Sequence, residues 1–174
     1  MTEDHGFHRP QSLAALPDSG LEVAIEAKPN ERKNLAAFLD VQDIKALNAR
    51  LLLQRWRGAG VRVTGSISAE LTQTCVVTLE ALPAKLAFEV DRKVLPEAML
   101  DRDADPHEML IDPEGDDPPD PLPHTLDLGT LAAEEVALNL DPYPRKAGAE
   151  TPAADDDSPS GGSPFASLKS IMKT

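Results

Sequence analysis

Between Val61 and Leu71 the chain sets Val61, Val63, Ile67, Ala69 and Leu71 two residues apart, with Gly65 in the same series. That period belongs to an extended strand with one face on a core and the other in water, because successive side chains of a strand point to opposite sides. Leu21, Val23, Ile25 and Ala27 alternate with Glu22, Ala24 and Glu26 in the same way; Leu47, Ala49, Leu51 and Leu53 do so again, and Leu86, Phe88 and Val90 repeat it. Arg57-Gly58-Ala59-Gly60 stands between two of these runs and reads as a hairpin turn. Four such strands predict an antiparallel sheet with a wet face, and three or more are enough for independent stability.

Two helices are expected to pack the sheet. Pro29-Asn30 stops the first strand, and Asn30 is placed to cap a short helix from about Glu31 to Leu39 with Leu35, Phe38 and Leu39 on one face. A second helix, from about Thr130 to Leu140, spaces Leu128, Ala132, Val136 and Leu140 four apart, with Leu131 and Leu138 beside them. Glu135 falls inside that apolar stripe, where a purely structural helix would not put an acid. Either its head snorkels or meets a backbone donor at the edge of the stripe, or it serves binding. With one Trp, one Tyr and four Phe, the core has to be built from Leu, Val, Ala and Ile.

The fold class is therefore α+β: an antiparallel sheet of about four or more strands, packed by two short helices, with an acidic loop and a disordered C-terminal tail. Residues 1–15 are expected to be flexible and 16–148 to form a single domain. Within it, 101–123 is an acidic loop whose Pro113, Pro118, Pro119, Pro121 and Pro123 remove backbone donors. The acidic, Gly/Ser/Pro-rich stretch 149–163 reads as a disordered linker. In 164–174, Pro164 opens a short amphipathic helix carrying Phe165, Leu168, Ile171 and Met172, which either docks on the body or meets a partner.

The net charge of −13 is unevenly spread. Residues 101–120 hold nine acids against Arg102, whereas eleven Lys and Arg face seven Asp and Glu between Lys28 and Lys93. A mildly basic body with acidic appendages is implied. Arg50, Arg55, Arg57 and Arg62 surround the hairpin with Trp56 among them, a set suited either to phosphate contact and base stacking or to the ordinary wet face of a sheet.

Catalytic and metal chemistry find little support. Asp101, Asp103 and Asp105 imitate the start of a calcium loop, but Pro106 stands where a sharp turn needs Gly and Asp112 where Glu gives bidentate ligation. His5, His8, His107 and His124 lie in loop-like regions without ligand spacing and read as isolated surface histidines. No Gly-x-Ser-x-Gly elbow or phosphate-cradling loop occurs. The single Cys75 excludes an internal disulfide and reads as a small buried hydrophobe. No cofactor, metal or catalytic residue is expected. The acidic start, Met1 to His5, is followed by no apolar run, so neither signal peptide nor membrane anchor is expected and the cytoplasm is the default.

Glu31-Arg32, the run Val63 to Ala69, the run Gln73-Thr74-Cys75-Val76-Val77-Thr78-Leu79-Glu80, the run Leu138 to Arg145 and Pro164-Phe165-Ala166 together resemble the YceD family, in particular its alphaproteobacterial branch. The resemblance extends from about Arg9 to Lys173. It implies a role in accumulation of large-subunit (23S) ribosomal RNA and in assembly of the large ribosomal subunit, with no known catalysis. Its motif residues here are Gln73, Cys75, Thr78, Leu79, Glu80, Glu135, Asp141, Pro142, Tyr143 and Arg145. The family pattern is Cys-x-x-Cys-Leu, and Thr78 replaces its second cysteine, so a metal role does not carry over. Joined to the charge map, the resemblance suggests basic strands on a ribosomal RNA precursor and the acidic 101–120 arm on a basic large-subunit ribosomal protein. The other reading is a protein-only adaptor or chaperone that uses the acidic loop and the C-terminal motif without touching RNA.

Overall fold

A computed structural model describes residues 5–13, 16–96, 100, 119–122 and 125–149. In chain order the elements are β1 (Pro10–Gln11), β2 (Leu21–Glu26), α1 (Pro29–Phe38), β3 (Asp43–Trp56), β4 (Gly60–Thr74), β5 (Ala81–Pro96), β6 (Asp120–Leu122), β7 (Leu126–Asp127) and α2 (Leu128–Asn139). The order β2-β3-β4-β5-β6 makes one five-stranded sheet, and β1 pairs with β7 in a small ribbon. The four strands foreseen from alternation are antiparallel neighbours: Leu51 sits opposite Val23 on one side and Gly65 on the other, and Gly65 sits opposite Val90.

These cross-strand rows build the core. Ile25, Ala49, Leu51, Leu53, Val61, Val63, Ile67, Ala69 and Leu71 are all buried on one sheet face, and both helices close over them. α2 contributes Leu128, Leu131, Ala132, Ala133 and Val136, and α1 contributes Leu35 and Ala36. The class is α+β, as the periodicity requires.

Several details depart from expectation. The long strands run to 14, 15 and 16 residues, well beyond the apolar runs that revealed them. Asp120–Leu122, assigned by composition to the acidic loop, is instead a strand that lies parallel to Val94–Pro96 on the sheet edge. Pro121 is tolerated there because an edge strand has one side free of donors to satisfy. α1 starts earlier than foreseen: Lys28 is its N-cap, Pro29 occupies the first turn, and Glu31 accepts from Lys28 N at 2.7 Å, so Asn30 is not the cap. α2 likewise starts at Leu128, because Asp127 Oδ1 accepts from Gly129 N at 2.9 Å and Thr130 N at 3.2 Å. Leu138, placed beside the apolar stripe, is 72% exposed.

Arg9 is tied to both helices. Arg9 N donates to Asp127 Oδ1 at 2.7 Å, and its guanidinium forms two 2.9 Å hydrogen bonds to Glu31. That fork holds the Glu31 carboxyl below its ordinary range. The calcium-like stretch 101–112, His107, His124, the linker and the Phe165, Leu168 and Ile171 motif lie outside the described residues.

Candidate functional site

β4 and β5 meet in the turn Cys75–Glu80. Cys75 N donates to Glu80 O and Leu79 N to Cys75 O, each at 2.9 Å, and Thr78 N reaches Cys75 Sγ at 3.4 Å. The chain that leaves α2 then crosses this turn and is bound to it. Gln73 Nε2 donates to Asp141 O at 2.9 Å, Val76 N to Pro144 O at 2.9 Å, and Lys146 N to Cys75 Sγ at 3.4 Å. Lys146 Nζ lies 2.8 Å from Glu80 Oε2, which also accepts from the Thr78 hydroxyl at 3.2 Å. Asp141 Oδ1 shapes the crossing segment by accepting from Tyr143 N at 2.9 Å.

Two motif runs some sixty residues apart in sequence thus form one clasp holding Gln73, Cys75, Thr78, Glu80 and Asp141. Tyr143 and Leu79 stand on its surface, 70% and 75% exposed, beside Val76 at 46%. Pro142 and Arg145 are exposed on the same segment. Leu79 adopts φ +60°, a left-handed conformation that costs a bulky side chain about 1–2 kcal/mol. Lys146 belongs to the clasp although sequence reasoning passed over it. Its role depends on a partner 66 residues away, which no local pattern encodes.

Cys75 is buried, as expected, but it is more than a hydrophobe. The Thr78 side chain, then the Thr78 and Lys146 backbone N–H groups, pull its thiol down to about 6 against the opposing effect of burial. The ordinary value is 9.0, so between about pH 6 and 9 the folded chain holds a thiolate where the unfolded chain holds a thiol. The unfolded state then binds more protons, and stability rises with pH across that window and is lost as pH falls through about 6. Thiolate ultraviolet absorbance should titrate with a midpoint near 6, and Cys75→Ala should flatten the rise in stability. A midpoint at the ordinary thiol value would contradict the hydrogen-bonded geometry. Among the described residues no three His, Cys, Asp or Glu side chains are placed to hold a metal ion.

The arginines around the hairpin do not form one patch. Alternation puts Arg50 and Arg62 on the wet face, whereas Arg55 falls on the opposite face, where it donates to Leu16 O at 2.9 Å and lies 3.4 Å from Asp18. Arg62 forks onto Asp91, with Nε 2.8 Å from Oδ1. Arg57 lies in the turn with its guanidinium 4.6 Å from the centroid of the Trp56 ring. Arg50 overlooks a depression of about 480 Å³ that is also lined by Glu89 and Asp91. The wet face therefore carries both signs of charge, which corrects the picture of a basic sheet with acids confined to appendages.

Two other expectations change. His5 is buried rather than on the surface: its Nδ1 accepts from Phe7 N at 3.1 Å, and its ring centroid lies 4.8 Å from that of His8. Among the described residues Glu135 meets no backbone donor. Its side chain is 12% exposed and its Oε1 lies 3.5 Å from Arg92 Nη1. No helix among the described residues is long and apolar enough to cross a membrane, which leaves strand-built spans unaddressed.

Comparison with known proteins identifies a family. A family model described as "Large ribosomal RNA subunit accumulation protein YceD" covers residues 63–170, more than half of the chain, and takes in most of β4, the clasp and α2. No curated protein and no solved structure matches.

Proposed function

The chain belongs to the YceD family, and on that premise we propose that it promotes accumulation of large-subunit ribosomal RNA as a cytoplasmic binding factor that docks a protein of the assembling subunit. The clasp carries this reading. It spends hydrogen bonds from two distant parts of the chain on fixing a turn, and that turn then holds Leu79 in a strained backbone state with its side chain in water. Strain and apolar exposure at one rigid spot are poor for folding and suit an anchor for a partner's pocket. Val76, Tyr143 and Leu138 belong to the same turn, strap and helix end.

The bridging version, in which basic strands meet RNA, draws less support, because Arg55 and Arg62 are engaged by groups of the chain itself and Arg50 faces carboxylates. The adaptor version fits better, with the clasp as its docking surface.

Leu79→Gly separates docking from folding. It removes the side chain and also relieves the positive φ, so stability should hold or rise by about 1 kcal/mol. Association with large-subunit precursor particles should nonetheless fall several-fold, and unprocessed or missing large-subunit RNA should appear in cells that carry the variant. Arg50→Glu with Arg57→Glu, two positions without an ion pair among the described residues, should leave association unchanged. The reverse pattern, loss with the arginines and none with Leu79→Gly, would return the function to the RNA-bridging reading.

A further inference from the structure

β5 leaves one edge open. β6 covers it only from Val94 to Pro96, although the strand begins at Ala81. Cys75 N donates to Glu80 O, and the register from there is unbroken, so even-numbered residues of β5 bond to β4 and odd-numbered ones turn their N–H and C=O outward. Pro83 agrees with this: its missing donor would face β4 on the other parity, whereas here it points away from the sheet. Among the described residues the outward groups of Lys85, Ala87, Glu89 and Asp91 meet no backbone partner. The core-side row of the same strand, Leu82, Ala84, Leu86 and Phe88, is only half-buried. A long open edge beside an apolar row is a template for an added strand.

We propose that the occupant is β5 of a second copy, paired antiparallel about a two-fold axis at Ala87. Three features select this partner and this register. The stretch from Ala81 up to the start of β6 has Ala87 at its centre, so a second β5 in this register fills the edge and ends where β6 begins. Two-fold pairing of odd with odd residues makes Ala87 a hydrogen-bonded pair with itself, as the outward groups require. It also sets Lys85 opposite the partner's Glu89, and Glu89 opposite the partner's Lys85. Glu89 has no ion pair among the described residues, while Lys85 reaches only Glu70, at 2.6 Å on an exposed face. On the core side, Leu86 comes opposite the partner's Phe88 and Ala84 opposite the partner's Val90, which extends the apolar face across the axis. Sliding the register by two residues to centre on Lys85 or Glu89 stacks like charges on the axis instead. Pro83 and Lys85 are residue types that discourage indiscriminate strand addition. A strand that carries a carboxylate opposite Lys85 escapes that discouragement.

The self-complementary charges give a direct test by sedimentation of the full chain over a concentration series. Wild type should show a reversible dimer. Lys85→Glu and Glu89→Lys should each weaken it by about tenfold or more, since each places two like pairs across the axis. Mixing the two variants should restore dimer, because every facing pair is then opposite in sign. Ala87→Pro should give a monomer with unchanged circular dichroism, and if that variant fails to fold the mixing experiment still decides. A wild type that stays monomeric at every concentration, a dimer indifferent to both swaps, or a mixture no tighter than its components would each overturn the proposal. Because Lys85 and Glu89 make none of the clasp's hydrogen bonds, loss of dimer with retained association leaves the clasp reading intact.

Discussion

Arg92→Leu is expected to destabilise the fold by about 2–3 kcal/mol, whereas Glu135→Leu should be close to neutral. Arg92 projects from β5 toward α2 and gathers three carboxylates: Asp120 of β6 at 3.1 Å, Glu135 at 3.5 Å and Glu134 at 3.9 Å. Removing the cation leaves Glu135 buried among Leu131, Ala132 and Val136 with nothing to offset its charge. It also removes the ion pair that ties Asp120 to β5 and leaves β6 with its backbone pairing to Val94–Pro96. The usual cost of orphaning a buried charge, about 3–5 kcal/mol, is reduced here because Arg92 is one-third exposed and water screens part of the effect.

The opposite deletion is milder for a physical reason. Without Glu135 the guanidinium keeps Asp120 and Glu134, and an acid has been exchanged for an apolar side chain inside an apolar stripe. Arg92 Nε is buried and lies out of line for a hydrogen bond, so the cluster is held by charge more than by directed bonds. Chemical denaturation of both variants checks the asymmetry. Equal losses would mean that Glu135 carries a role that Arg92 does not mediate.

The alternation that revealed β2 to β5 is legible because burial on one face forces a period of two on the sequence. The full length of the strands is not, since Lys45 and Gln73 interrupt the apolar series and Pro83 reads as a breaker. Pro83 breaks nothing because β5 is an edge strand there, and edge position is a property of the whole sheet. Gly129 falls in the first turn of α2, ahead of the expected start near Thr130, and a larger residue is excluded there because Phe7 O lies where a side chain would begin. Cys75 and Tyr143 stood out as motif, but the clasp that joins their segments depends on backbone groups far apart in sequence. The basic surface failed for a simpler reason: counting charges along the chain ignores the parity that sends Arg50 and Arg55 to opposite faces.

Gly65→Ala should be severely damaging, with a loss of about 4 kcal/mol or more, enough to leave a marginal domain largely unfolded. Gly65 lies in the central strand at φ +153°, paired with Leu51 on one side and Val90 on the other. A Cβ there would overlap the carbonyl oxygen of Arg50 and approach Leu51 Cα to 2.9 Å. Both obstacles are backbone of the neighbouring strand, so no rotamer change relieves them, and β3 and β4 would have to part in the middle of the sheet. Gly148→Ala provides the comparison, since that glycine has φ +79° but, among the described residues, nothing within 4 Å of its would-be side chain. Its cost is the left-handed backbone alone, about 1 kcal/mol. Thermal melts of the two variants therefore separate strain from collision, and similar shifts would show that β3 and β4 can yield where the geometry says they cannot.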